Sequence, residues 1–120
     1  MEIKISRERL VERFPRYVSV DTQSDPQSET FPSTAKQLTL LNLLLEEMLA
    51  LGLSDAEIDP HGYVTGTVPA TPGHEGKPVI GLISHVDTSP DMAGAGGKPQ
   101  FVQDYDGNDI RLNDTLTMRV

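Results

Sequence analysis

The chain has 120 residues, 37% of them hydrophobic, and 10 Lys and Arg against 18 Asp and Glu give a formal net charge of −8. That length allows at most one domain with a modest core, and the acidic balance argues against nucleic acid or an anionic membrane surface as a partner, because phosphates are repelled. Cysteine is absent, which excludes a disulfide framework, a thiolate nucleophile and thiolate metal ligands, so any metal must be held by nitrogen and oxygen.

In chain order, residues 1–7 carry charge without the apolar stretch of a secretory signal. No later run approaches the roughly 20 apolar residues of a membrane span, and a cytoplasmic location is expected. Leu10, Phe14, Tyr17 and Val18 recur at helical spacing behind Ser6, a natural N-cap, while Pro15 predicts a short or kinked helix. Residues 20–32 are polar and turn-rich and read as a loop. Thr34-Ala35-Lys36-Gln37 fits a capping box for a second helix, whose leucines from Leu38 to Leu51 form a broad apolar face and which Gly52 should stop. Leucine at that density predicts a core helix packed on a sheet.

Two short strands should flank the turn Asp59-Pro60-His61-Gly62, the second over residues 63–68. Residues 70–77 read as another loop. Residues 78–84 have few polar side chains on either face, as expected of an interior strand covered on both sides. Residues 88–97 are irregular, and a hairpin pairing residues 99–103 with 109–112 around Asp106-Gly107-Asn108 should follow. Two helices and three or four strands leave the apolar strand too little cover. The expectation is an α/β fold that is incomplete as a domain.

The chemistry concentrates at the end of that apolar strand, in His85 and Asp87. A strand alternates its faces, so both side chains point the same way, with Cα atoms roughly 6.5–7 Å apart. Strand ends are where α/β domains open their loops to ligands. A carboxylate commonly holds the second nitrogen of a metal-bound imidazole; a structural histidine satisfied by its neighbour fits the same spacing, and both remain open. Adding Ser89 does not make a hydrolytic triad, because three residues spaced by two along one strand cannot converge and no Gly-x-Ser-x-Gly elbow is present. His61 and His74 sit in glycine-flanked turns and read as solvated; His74-Glu75 lacks the second histidine of a zinc helix. Gly94-Ala95-Gly96-Gly97 lacks the Lys-Ser/Thr of a phosphate loop and reads as a flexible surface segment. No Asp-x-Asp-x-Asp-Gly calcium loop occurs.

The run Ser84-His85-Val86-Asp87-Thr88-Ser89-Pro90-Asp91 resembles the M20 family of two-zinc metallopeptidases, and in particular its cytoplasmic aminotripeptidases. Collinear support comes from Arg13-Phe14, Tyr17 to Ser24, Pro32-Ser33-Thr34, Glu46-Glu47-Met48, Leu51-Gly52-Leu53 and Gly62-Tyr63-Val64. Pro15 departs from the helix-compatible residue expected there. The resemblance implies that residues 1–120 form the N-terminal part of a zinc-peptidase catalytic domain, with no second domain. It makes His85 a ligand of one of two zinc ions and Asp87 the catalytic-site carboxylate that orients His85. The other ligands and a glutamate base are expected later in the family's chain. It implies a small peptide as substrate, no nucleic acid or membrane partner, and no peptidase activity from these residues alone. The alternatives are another M20-type dipeptidase or amidohydrolase, or a non-catalytic binding module that self-associates through exposed strand edges.

Overall fold

The computed structural model describes residues 5–120; the reading of residues 1–4 as part of a non-signal terminus lies outside them. The first helix, α1 (Arg7–Val18), begins where Ser6 stops the chain: its Oγ accepts from the Arg9 amide at 3.3 Å, an N-cap that satisfies one orphan donor. Glu8 in the first turn and Arg16 in the last complement the helix dipole. Pro15 does not end the helix. So near the C-terminus the proline forfeits a single ladder bond, and the Ser19 amide still closes on the Pro15 carbonyl at 3.1 Å.

The second helix, α2 (Gln37–Ala50), has no side-chain cap. This corrects the capping-box expectation. Thr34 Oγ1 donates to the Gln23 carbonyl at 2.8 Å, and the Gln37 side chain reaches Thr34 Oγ1 and Ser33 Oγ, each at 3.1 Å, instead of a backbone amide. Tertiary hydrogen bonding has taken the group that the local motif would have used. The other end follows expectation. Gly52 has φ +92, its amide bonds Leu49 O at 2.9 Å, and the Leu53 amide bonds Met48 O at 3.1 Å, the paired bonds of a Schellman stop.

β1 (Glu57–Ile58) and β2 (Val64–Thr65) pair antiparallel and pack on α2. The turn between them is organised by Asp59, whose Oδ1 accepts from the His61 and Tyr63 amides at 2.9 and 2.8 Å. Leu40 and Leu41 of α2, 8% and 4% exposed, are the buried apolar side chains among the described residues. α1 joins α2 differently. Its Leu10 and Phe14 stay exposed, while the Glu47 carboxylate of α2 receives the Tyr17 hydroxyl, the Arg16 guanidinium, and Arg13 Nε at 3.4 Å. A shared carboxylate, not an apolar seam, links the helices.

The expected interior strand is not formed. Residues 78–84 are irregular and unpaired, and Val79, Leu82 and Ile83 are 96%, 95% and 98% exposed. A strand that is apolar on both faces is stabilised only by neighbouring strands and a layer on each side, and the described residues place neither against it. The expected hairpin of residues 99–103 with 109–112 is also replaced. β3 (Ile110–Arg111) pairs antiparallel with β4 (Thr117–Met118). Asn113 decides this: its Oδ1 accepts the Thr115 and Leu116 amides, both at 2.9 Å, and so builds the tighter turn downstream.

The architecture is α/β, two helices with two short antiparallel ladders, small and incomplete. The radius of gyration is 18.0 Å, against roughly 14 Å for a compact domain of this length, so the chain is loosely assembled. No helix among the described residues is long and apolar enough to cross a membrane.

Candidate functional site

His85 and Asp87 lie where the unpaired apolar segment first meets the rest of the molecule. Immediately after them, Thr88 forms a parallel bridge with Gln23: its amide donates to Thr22 O at 3.2 Å, and its carbonyl accepts the Ser24 amide and hydroxyl, each at 3.0 Å. Thr22 is 2% exposed, so the bridge is the buried part of an otherwise open site.

Around the bridge, polar side chains interlock. Lys36, at the start of α2, donates to Asp21 Oδ2 at 3.0 Å and to Gln23 Oε1 at 3.3 Å. Asp21 Oδ1 accepts the Gln23 amide at 3.1 Å. That backbone bond first, and the Lys36 ammonium second, hold the Asp21 carboxyl below the usual carboxylate range. Gln23 Nε2 donates to the Pro90 and Met92 carbonyls at 2.9 and 3.3 Å. The glycine run expected to be a free surface segment is partly seated here. A Cβ on Gly94 would lie 3.3 Å from Asp21 Oδ1, and one on Gly97 would lie 3.1 Å from Val18 O.

The pair itself is joined: His85 Nδ1 lies 3.1 Å from Asp87 Oδ1. An ionised carboxylate only accepts, so Nδ1 carries the proton and the Nε2 lone pair is left outward. The His85 side chain is 84% exposed and that of Asp87 45%, and Nε2 has no hydrogen-bond partner among the described residues. This donor suits a metal ion, with its tautomer set from behind. It is also a single donor. Among the described residues no three His, Cys, Asp or Glu side chains converge on a possible metal position, whereas a catalytic zinc takes about three protein ligands.

The other residues considered in the sequence fall elsewhere. Ser89 Oγ donates to Asp91 Oδ2 at 2.8 Å and accepts the Asp91 amide at 3.2 Å, a local turn that engages Asp91 and not His85. His61 sits edge-on to Phe31 with ring centroids 6.2 Å apart, and His74 is exposed in its turn. Sequence reasoning missed Asp21, Gln23 and Lys36. Nothing local marks them: Lys36 meets Asp21 and Gln23 across 15 and 13 positions, and the Gln23 partners Pro90 and Met92 lie 67 and 69 positions away along the chain.

Comparison with known proteins finds relatives that match most of this chain. Over 110 residues, 92% of this chain, it is 49% identical to "Peptidase T" of Geobacillus sp. (strain WCH70), and that match covers 27% of the relative. It is 54% identical over 106 residues to "Peptidase T" of Clostridium acetobutylicum, covering 88% of this chain and 26% of the relative. It is 47% identical over 110 residues to "Peptidase T" of Bacillus subtilis (strain 168), covering 92% and 27%. The chain thus spans about a quarter of the length of the curated relatives it matches. No family model matches it.

Proposed function

This chain belongs to the peptidase T family, and from that premise we propose that it is the N-terminal part of the catalytic domain of a metal-dependent aminopeptidase that releases the N-terminal residue of tripeptides. The observation that carries the reading is the His85–Asp87 pair, a solvent-facing Nε2 backed at Nδ1 by a carboxylate at 3.1 Å. In this role His85 Nε2 is a ligand of one of two zinc ions. Asp87 fixes the imidazole tautomer and raises its basicity. Bound zinc supplies Lewis-acid chemistry toward a peptide carbonyl. The remaining ligands and the general base belong to parts of the enzyme outside these residues, so the chain by itself binds zinc weakly and hydrolyses nothing. Small peptides are the partners, the setting is cytoplasmic, and the net charge of −8 disfavours nucleic acid and anionic membranes.

The test is a zinc titration followed at the imidazole nitrogens of the three histidines. Zinc should move the His85 Nε2 resonance first, and a tripeptide assay with excess zinc should show no cleavage. Zinc binding at His61 or His74 in preference to His85 would end the ligand assignment; zinc-dependent release of an N-terminal residue would end the claim of inactivity.

A second reading is supported by one observation, the bare apolar run Val79, Ile80, Leu82 and Ile83. Unpaired backbone beside exposed β-branched side chains is a template for edge-to-edge pairing, which would make the chain a self-associating module. Sedimentation that stays monomeric across a wide concentration range would dismiss it.

A further inference from the structure

His85 and Asp87 must be held still to act as a ligand unit, yet the chain leading into them holds nothing. Residues 78–84 make no ladder and are exposed. All positional information therefore comes from the downstream side, through residues 22–24. Thr22 O accepts the Thr88 amide and the Ser24 amide donates to the Thr88 carbonyl, which sets Gln23 opposite Thr88, the residue after Asp87. The Gln23 side chain then donates both amide hydrogens to the carbonyls of Pro90 and Met92. The loop is pinned at residues 88, 90 and 92, and Asp87 is the first residue beyond the pins.

The orientation of that amide is fixed electrostatically. Gln23 Oε1 faces the Lys36 ammonium at 3.3 Å, and Lys36 is in turn held by Asp21 Oδ2 at 3.0 Å. Turning the amide over would place its NH2 group against a cation and its oxygen against two carbonyls, both unfavourable. Donors therefore point at the loop and the acceptor at α2.

We propose that Gln23 is the positioning residue of the His85–Asp87 pair: its carboxamide clamps residues 90–92 and so sets where Asp87 presents its carboxylate to His85 Nδ1. The proposal rests on the reading of His85 as a metal ligand, the role that a fixed ring orientation would serve here. Gln23 touches neither His85 nor a substrate; it acts through the loop.

The experiment compares the 120-residue chain with its Gln23→Glu and Gln23→Ala variants. Glu keeps the shape and the acceptor toward Lys36, but turns an oxygen onto the Pro90 and Met92 carbonyls; Ala removes the clamp. The readouts are the imidazole tautomers of His85 by long-range proton–nitrogen correlation at neutral pH, and zinc ion as the probe at Nε2. The parent chain should hold His85 mainly as the Nδ1–H tautomer. Both variants should move it toward a mixed population and weaken zinc at His85 several-fold, while the signals of His61, His74 and α2 stay unchanged and report an intact fold. A group bonded directly to a ligating imidazole typically carries about 10–100-fold in metal affinity, and Gln23 acts one step behind it, through Asp87.

If Gln23→Glu behaves like the parent and only Gln23→Ala departs, the side chain fills space and the clamp is refuted. If zinc shifts His85 equally in all three proteins, the clamp fails and the ligand assignment stands. If zinc ignores His85 in the parent while both variants still scramble its tautomer, the ligand assignment fails and the clamp stands.

Discussion

Gly52 and Gly62 form a matched pair that measures how firmly the β1–β2 turn is seated on α2. Both have positive φ, +92 and +84. Their surroundings differ: a Cβ on Gly52 meets nothing within 4 Å, whereas one on Gly62 would lie 3.1 Å from Pro32 Cδ and 3.5 Å from Leu41 Cδ1. An alanine forced into the left-handed region costs about 1–2 kcal/mol, partly offset by about 0.4–1 kcal/mol from a stiffer unfolded chain. Gly52→Ala should therefore cost about 1 kcal/mol. Gly62→Ala carries the same backbone cost and adds overpacking, typically about 1–3 kcal/mol. The Leu41 contact at 3.5 Å is ordinary packing, so the overpacking falls on the stiff Pro32 ring at 3.1 Å. The expected total is about 2–4 kcal/mol. Amide hydrogen exchange in α2 and the β1–β2 ladder reads the difference, at about tenfold per 1.4 kcal/mol. Gly52→Ala should accelerate exchange roughly fivefold, and Gly62→Ala by between one and three orders of magnitude. Equal acceleration by the two variants would refute the seating of the turn on Leu41 and Pro32.

Replacing Asp59 by Ala removes the acceptor of the His61 and Tyr63 amides and should cost about 1–2 kcal/mol, seen as loss of protection in the β1–β2 ladder with α1 unaffected. Ser6→Ala removes the N-cap of α1 and should fray that helix by about 1 kcal/mol, lowering its helical signal while the α2 amides exchange as before. Asp21 gives a pH dependence with a definite sign. Its folded pKa is lowered, chiefly by the Gln23 amide and then by Lys36, so its contribution is fully present above the ordinary value of about 3.9 and is lost as pH falls through the lowered one. The Gln23 amide resonance, bonded to Asp21 Oδ1, should hold steady from neutrality to about pH 5 and move only in strong acid; its movement between pH 7 and 5 would contradict the pairing.

What was legible in the sequence is what depends on near neighbours. The Ser6 cap, the run of leucines ended by Gly52, and the Asp59–Gly62 turn each need only a few adjacent residues, and each formed as expected. The capping box failed because Thr34 and Gln37 found partners outside the motif. The C-terminal hairpin was misplaced because the ladder forms around the Asn113 turn, while the Asp106-Gly107-Asn108 turn carries no paired strands. The interior strand was read from a composition suited to burial, but composition does not supply the neighbours a strand must pair with. At the site, the spacing of His85 and Asp87 was visible, whereas the Asp21–Lys36–Gln23 support was not, since it exists only once residues 21–24 and 88–92 meet.

The bridge between residues 22–24 and 88 also sets the order in which the molecule assembles. Helix α2 with its hairpin is made of contacts local in sequence, the kind that form early. The Ser24–Thr88 contact closes a span of 64 residues, and the chain entropy of such a loop is on the order of 4 kcal/mol beyond a constant. A few hydrogen bonds and the buried Thr22 must offset it. His85 and Asp87 are thus delivered by the last and most reversible step of folding, and the amides of Ser24 and Thr88 should exchange ahead of those in α2. Whatever ligand engages His85 while the bridge is closed also holds that loop shut, so occupancy of the site and completion of the fold become one equilibrium.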